Sequence, residues 1–253
     1  MRTHQRVVVD VDKVNVKFKG VVAVENLSLQ IGKGERVAIL GRTGAGKSTL
    51  LNLLVGNLAP TSGRVRVADA DPHKEHKSLQ GRIGMAFQAP RLIPWRTALG
   101  NVKVGLEILK KAKSEQEQTA RKWINQVHLG HAAELYPSQL SGGMRQRVSL
   151  ARAFAIEPDL ILLDEAFSAL DEVTAADLRA EFLALCEEIE MTSLIVTHNI
   201  EEAFLLADRV ILLGRPAKIL KEFQTDEVPT PGTPDFIAVR DAIHKMILDN
   251  ASA

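Results

Sequence analysis

Cys186 is the only thiol in 253 residues, so no disulfide can form within the chain. The length and a hydrophobic content of 45% suffice for a substantial core without disulfides or structural metal. No apolar run approaches the ~18 residues that suggest a membrane span. The basic opening residues lead into alternating strand residues instead of the apolar core of a secretory leader. If the protein works at a membrane, another subunit or domain must supply the transmembrane part. Charge of one sign is also lacking: Lys and Arg total 32 against 31 for Asp and Glu, a formal net charge of +1. This balance predicts neither strong nucleic-acid binding nor general attraction to an anionic membrane. Internal repeats and low-complexity segments are absent. Cys186 lies with Leu178, Phe182, Leu185 and Ile189 in a helical pattern, which predicts a buried core thiol.

Against these absences stands one dense motif. The apolar run Val37-Ala38-Ile39-Leu40 is followed by Gly41-Arg42-Thr43-Gly44-Ala45-Gly46-Lys47-Ser48, then by Thr49 and an apolar helix. The spacing G-x-x-x-x-G-K-[ST] makes a phosphate loop. Its backbone N–H groups wrap the phosphates, Lys47 reaches the β- and γ-phosphates, and the Ser48 hydroxyl ligates Mg²⁺. The glycines bring the backbone close to the anion with no Cβ in the way. A nucleoside triphosphate and Mg²⁺ are therefore the expected ligands.

Residues 7–18 and 22–31 read as two strands, and a third ends at Leu40. A helix follows over 49–55, and Gly56 to Gly63 breaks it. Strands are expected at 64–67 and 83–87, with a polar loop or short helix between. Residues 97–126 read as mostly helical, with a solvated charged stretch from Lys110 to Gln118. The run Leu160-Ile161-Leu162-Leu163 is apolar on both faces, as a central parallel strand must be. Helix 172–190, strand 193–196, helix 200–207 and strand 209–213 complete an open α/β pattern with its site at the strand C-termini. From Thr225 to Pro234 the chain is turn-rich, and an amphipathic helix is expected over 235–248.

Asp164 and Glu165 follow the central run. An acid at a strand end can hold Mg²⁺ through water, and a neighbouring carboxylate can orient a water for attack on the γ-phosphate. His198 follows strand 193–196, where a neutral imidazole can hydrogen-bond the γ-phosphate or the attacking water; capping or packing is the plainer alternative. Gln88 is similarly open, as a Mg²⁺ ligand or a holder of water.

With these residues in view, the chain resembles the ATP-binding subunit of an ABC transporter over nearly all of residues 10–223. The most specific element is Leu140-Ser141-Gly142-Gly143-Met144-Arg145-Gln146-Arg147, which matches the ABC signature. Ala166-Phe167-Ser168-Ala169-Leu170-Asp171 resembles the D-loop. The resemblance makes Gln88 the Q-loop glutamine, His198 the switch histidine and Phe18 the A-loop aromatic that stacks on adenine. It implies Gln88, Glu165 and His198 as catalytic residues and Ser48, Gln88 and Asp164 at the metal. Phe18, Gly41, Thr43, Gly44, Ala45, Gly46, Lys47, Ser48, Thr49, Ser141, Gly142, Gly143 and Asp171 would bind nucleotide. In the family the signature serves the nucleotide held by the opposite subunit of a head-to-tail dimer, with ATP between the two.

The implied fold is an α/β phosphate-loop NTPase core with an N-terminal antiparallel β subdomain and an inserted helical subdomain. The expected boundaries are an ATPase domain over 1–224, its helical subdomain at about 89–157, and a linker and helix over 225–253. Pro90 to Val102, including Leu92, Ile93 and Trp95, resembles importers of the nitrate, sulfonate and taurine group. In that group this surface receives a multi-span permease subunit, and a solute-binding protein completes the complex. The ATPase would then sit at the cytoplasmic face of the inner membrane, peripheral through its permease. An exporter or lipid-trafficking ATPase is the alternative, and an ABC ATPase acting on nucleic acid or ribosomes is the more remote one. Arg42 stands where such importers often have proline, adding charge close to the nucleotide.

Overall fold

The computed structural model describes residues 6–168 and 170–250. Ala169, in the stretch resembling the D-loop, lies outside the described residues, as do the termini. The chain begins with β1 (Val7–Phe18), β2 (Val21–Gly32) and β3 (Arg36–Leu40), then α1 (Lys47–Leu54), β4 (Ser62–Val67) and β5 (Ile83–Phe87). Three helices follow: α2 (Ala98–Ile108), α3 (Lys113–Gln126) and α4 (Gly142–Phe154). Next come β6 (Leu160–Asp164), α5 (Glu172–Glu188), β7 (Ser193–Thr197) and α6 (Ile200–Leu206). The last elements are β8 (Arg209–Leu213), β9 (Ile219–Gln224) and α7 (Pro234–Asp249).

These elements divide into two compact units, Met1–Leu79 with Glu190–Ala253, and Gln80–Ile189. In the first, β2, β1 and β4 form an antiparallel sheet in that order. Val9, Val11, Val14 and Val16 of β1 are buried there. β3 lies between β7 and β8 in parallel, with Ala38 opposite Ile195 on one side and Val210 on the other. Val37 to Leu40 are fully buried, so β3 delivers the phosphate loop from the middle of a rigid layer. β9 runs antiparallel to β8. α7 packs by Phe236 and Ile243, both buried, and the Phe236 ring meets Phe204 of α6 edge-on at 5.3 Å.

The second unit pairs β5 with β6 in parallel and adds α2 to α5. Its core contains Trp123 of α3 stacked on Phe154 of α4 at 5.0 Å, and Phe154 against Phe182 of α5 at 6.2 Å. Cys186 is buried, as its spacing predicted. The region read as one mostly helical stretch is two helices. α2 ends as Lys110 enters the left-handed region at φ 56°, and the chain restarts at Lys113. The charged stretch is solvated and laced by ion pairs, Lys111 with Glu115 at 2.8 Å and Glu117 with both Lys103 and Arg121.

Candidate nucleotide site

The phosphate loop joins the end of β3 to the first turn of α1. Gly46 stands at the helix start with φ 84°, and a Cβ there would lie 2.7 Å from Ala217 Cβ and 2.9 Å from the Ala23 carbonyl. Only glycine meets both the conformation and the space. Lys47 is 6% exposed, and its Nζ donates to the carbonyls of Gly41 at 2.6 Å and Arg42 at 3.2 Å. The ammonium is thus fixed inside the curl of the loop, while Ala45 N–H closes the curl on the Arg42 carbonyl at 3.0 Å. No side chain caps α1, so its first N–H groups and its dipole remain directed at the loop, as an anion site requires. Ser48 is exposed in the first turn and Thr49 is half-buried; Thr43, Gly44 and Arg42 are exposed.

In the same unit Phe18 ends β1 at 47% exposure, a ring left uncovered at a strand end. His198 follows β7 and is exposed, and Asn199 beside it caps α6 by accepting from Glu202 N–H at 3.1 Å. The cap fixes the point at which the chain leaves β7.

The second unit carries the rest. Asp164 ends β6 and is half-exposed. Glu165 adopts φ 51°, unusual for a residue with a side chain, and its carbonyl accepts from Ser168 Oγ at 2.8 Å and Ser168 N–H at 3.2 Å. Phe167, 1% exposed, packs edge-on against Phe182 at 5.8 Å and anchors this turn. Gln88 is exposed just past β5. Ser141 caps α4 by accepting from Met144 N–H at 3.2 Å. A Cβ on Gly142 would meet open space, whereas one on Gly143 would lie 2.5 Å from Thr174 Cγ2. Gly142 therefore presents its backbone outward at a helix N-terminus. Asp171 caps α5 through Thr174 N–H at 3.0 Å, and hydrogen bonds from Thr174 hold its carboxyl below the usual aspartate range.

The sequence model of the family described as ABC transporter matches residues 24–168. The chain belongs to that family. Its relatives include the taurine import ATP-binding protein TauB of Pseudomonas aeruginosa, 38% identical over 244 residues, 91% of this chain and 90% of that one. The bicarbonate transport ATP-binding protein CmpC of Synechocystis is 40% identical over 83% of this chain, which spans only 31% of that longer protein. Among solved structures, the ATP-binding cassette MJ0796, in a dimeric post-hydrolysis state bound to ADP and Pi, superposes with TM-score 0.75 at 33% identity, covering 86% of this chain and 98% of that one. The fold is accordingly the ABC ATPase fold, with its antiparallel β subdomain and helical subdomain, and the chain is an ATP-binding, ATP-hydrolysing cassette.

Three polar side chains to which the motifs assign no role brace the backbone of this ABC cassette. Gln146 of α4, 2% exposed, donates to the Phe87 carbonyl at 2.9 Å, next to Gln88. Asn101 of α2, fully buried, accepts from Ile93 N–H at 2.7 Å and donates to the carbonyls of Ile93, Arg96 and Thr97. Arg152 donates to the carbonyls of Pro90 and Arg91 at 2.7 and 2.9 Å. Asn101 and Arg152 fix the 90–97 loop, on which Trp95 is 77% exposed while Leu92 and Ile93 are half-buried. A polar residue set in an apolar helix face was the available signal.

Proposed function

We propose that this chain is the ATP-hydrolysing subunit of an importer for a small anionic or zwitterionic solute of the nitrate, sulfonate or taurine kind. It would work as a head-to-tail pair of chains. The observation that carries the reading is that each chain owns two separate anion cradles, one in each unit. The first is the phosphate loop with its buried Lys47, and the second is the Ser141-capped start of α4 with Gly142 open. Two such chains, related by two-fold symmetry, can each lend a signature to the other's nucleotide. The dimeric relative bound to ADP and Pi supports this arrangement, and the end-to-end match to a taurine import protein supports the direction of transport.

In this reading Lys47 and the α1 N-terminus neutralise the β- and γ-phosphates, and Phe18 offers its exposed face to adenine. The protein donors on offer to a metal are the Ser48 hydroxyl, the Asp164 carboxylate and the Gln88 amide, all oxygens, as Mg²⁺ requires. Bound there, Mg²⁺ would offset charge on the phosphates. Glu165 accepts the proton of a water as that water attacks the γ-phosphorus, and ADP leaves. His198 and Gln88 orient the water and the γ-phosphate, and Asp171 contributes at the dimer face. Among the described residues no helix is long and apolar enough to cross a membrane. The exposed Trp95 on its braced loop is the surface offered to a permease at the cytoplasmic face, with a solute-binding protein on the other side.

The test is Glu165→Gln, which keeps the shape and removes the base. Turnover should fall by about 10²–10⁴-fold. ATP binding should persist, and ATP should shift the chain toward dimer in size-exclusion chromatography. Near-normal turnover in the complete complex would end the assignment of Glu165 as the base.

A further inference from the structure

The phosphate loop rests on a turn that no motif predicts. β8 ends at Leu213 and the chain reverses through Gly214 to Lys218 before β9, with Gly214 N–H donating to the Lys218 carbonyl at 2.9 Å. This turn borders the loop at its start, middle and end. The Leu213 carbonyl lies 3.1 Å from where a Cβ on Gly41 would stand. Ala217 Cβ lies 2.7 Å from the same point on Gly46, and Arg215 Nη1 lies 3.9 Å from it on Gly44. The Arg215 guanidinium is therefore beside the phosphate loop, although it stands far from that loop in sequence.

The turn is held in place by the end of the last helix. Arg215 N–H donates to Asn250 Oδ1 at 2.7 Å, and a Cβ on Gly214 would come within 2.6 Å of that same oxygen. Asn250 caps α7, which is anchored by buried Phe236 and Ile243. Loop, turn and helix enclose a cleft of about 560 Å³ lined by Arg42, Thr43, Arg215, Ile247 and Asn250 among others. Arg42 and Arg215 are both exposed, and among the described residues neither guanidinium has a carboxylate partner. Phosphates bound in the loop would supply a countercharge for two such cations at its rim.

We propose that Arg215 is a nucleotide-binding residue of this chain, and that Asn250 is the positioning residue that holds it beside the phosphate loop. The C-terminal helix thereby sets the affinity for phosphate-bearing nucleotides. The inference rests on the phosphate loop being the ATP site, and the test separates the two. The full-length chain is titrated with a fluorescent ATP analogue and with the corresponding adenosine analogue, at low and high salt. Lys47→Ala reports on the loop itself.

Arg215→Ala should raise the Kd for the ATP analogue roughly three- to ten-fold, leave that for adenosine unchanged, and lose most of its effect at high salt. Asn250→Ala should weaken ATP binding in the same direction without a change in thermal midpoint. In the Arg215→Ala background it should add nothing, because it acts through that side chain. If Lys47→Ala abolishes binding while Arg215→Ala leaves it intact, or if Arg215→Ala weakens adenosine equally, the role of Arg215 is overturned. Additive effects in the double variant overturn the role of Asn250. Should Asn250→Ala fail to fold, Arg215→Ala, which removes no backbone hydrogen bond, still decides the nucleotide contact.

Discussion

The side-chain amide of Gln146 donates to the backbone carbonyl of Phe87 across 2.9 Å. It ties the helix that begins with the signature to the residue immediately before Gln88. Gln146 is 2% exposed, so little water is at hand to replace it.

Gln146→Leu should therefore leave a polar group without its partner, at a cost of about 1–3 kcal/mol in stability. It should also free the backbone that carries Gln88. Denaturant unfolding is expected to show the loss, and ATP turnover should fall further than the unfolded fraction accounts for. A variant with full stability and full turnover would make the bond incidental.

Asn101 governs the proposed docking loop. Four of its hydrogen bonds run to the backbone of Ile93, Arg96 and Thr97, and Leu in its place supplies none. Asn101→Leu should expose Arg91 and Arg96 to trypsin, with cleavage within the 90–97 segment much faster than in the parent. ATP binding, which uses the other unit's phosphate loop, should be retained. Equal cleavage rates would show that Arg152 alone holds the loop.

The phosphate loop was legible because its signal is local. Gly41 to Ser48 follow directly on β3, and α5 starts at Glu172, where a helix was expected, so loop and helix follow from neighbouring residues. Elements and contacts that depend on a partner outside their own segment were not readable. β9 alternates little and carries Lys221 and Glu222, and it is a strand because β8 pairs with it. Gln146, Asn101 and Arg152 hydrogen-bond to backbone carbonyls up to 62 residues away. The break between α2 and α3 depends on Lys110 taking a left-handed conformation, which a lysine does not announce.

Asp171 gives a pH dependence with a definite sign. Hydrogen bonds from Thr174 hold its folded carboxyl below the usual aspartate value of 3.8. Its contribution is thus present above that value and lost as pH falls through the lower, folded one. Asp171→Asn keeps a capping oxygen and does not titrate, so the stability gap between parent and variant should be flat from neutral pH to about pH 4 and change only below it. A gap that changes between pH 5 and 7 would assign the titration to another group.

The sharpest test of the two-cradle reading uses two inactive variants together. Lys47→Ala removes the charge fixed on the Gly41 and Arg42 carbonyls, so that chain should lose its own nucleotide while keeping an intact signature. Ser141→Arg should do the converse, retaining binding to its own phosphate loop but placing bulk and charge where the partner's γ-phosphate must sit. Either variant alone should be nearly inert in phosphate release. Mixed and allowed to exchange, half the dimers become heterodimers, and each contains one site with a sound phosphate loop facing a sound signature. Activity should return to as much as about a quarter of the parent level under two-fold symmetry. If each chain instead completed its own site, no mixed dimer would contain a functional one, and the mixture would stay as inactive as its parts.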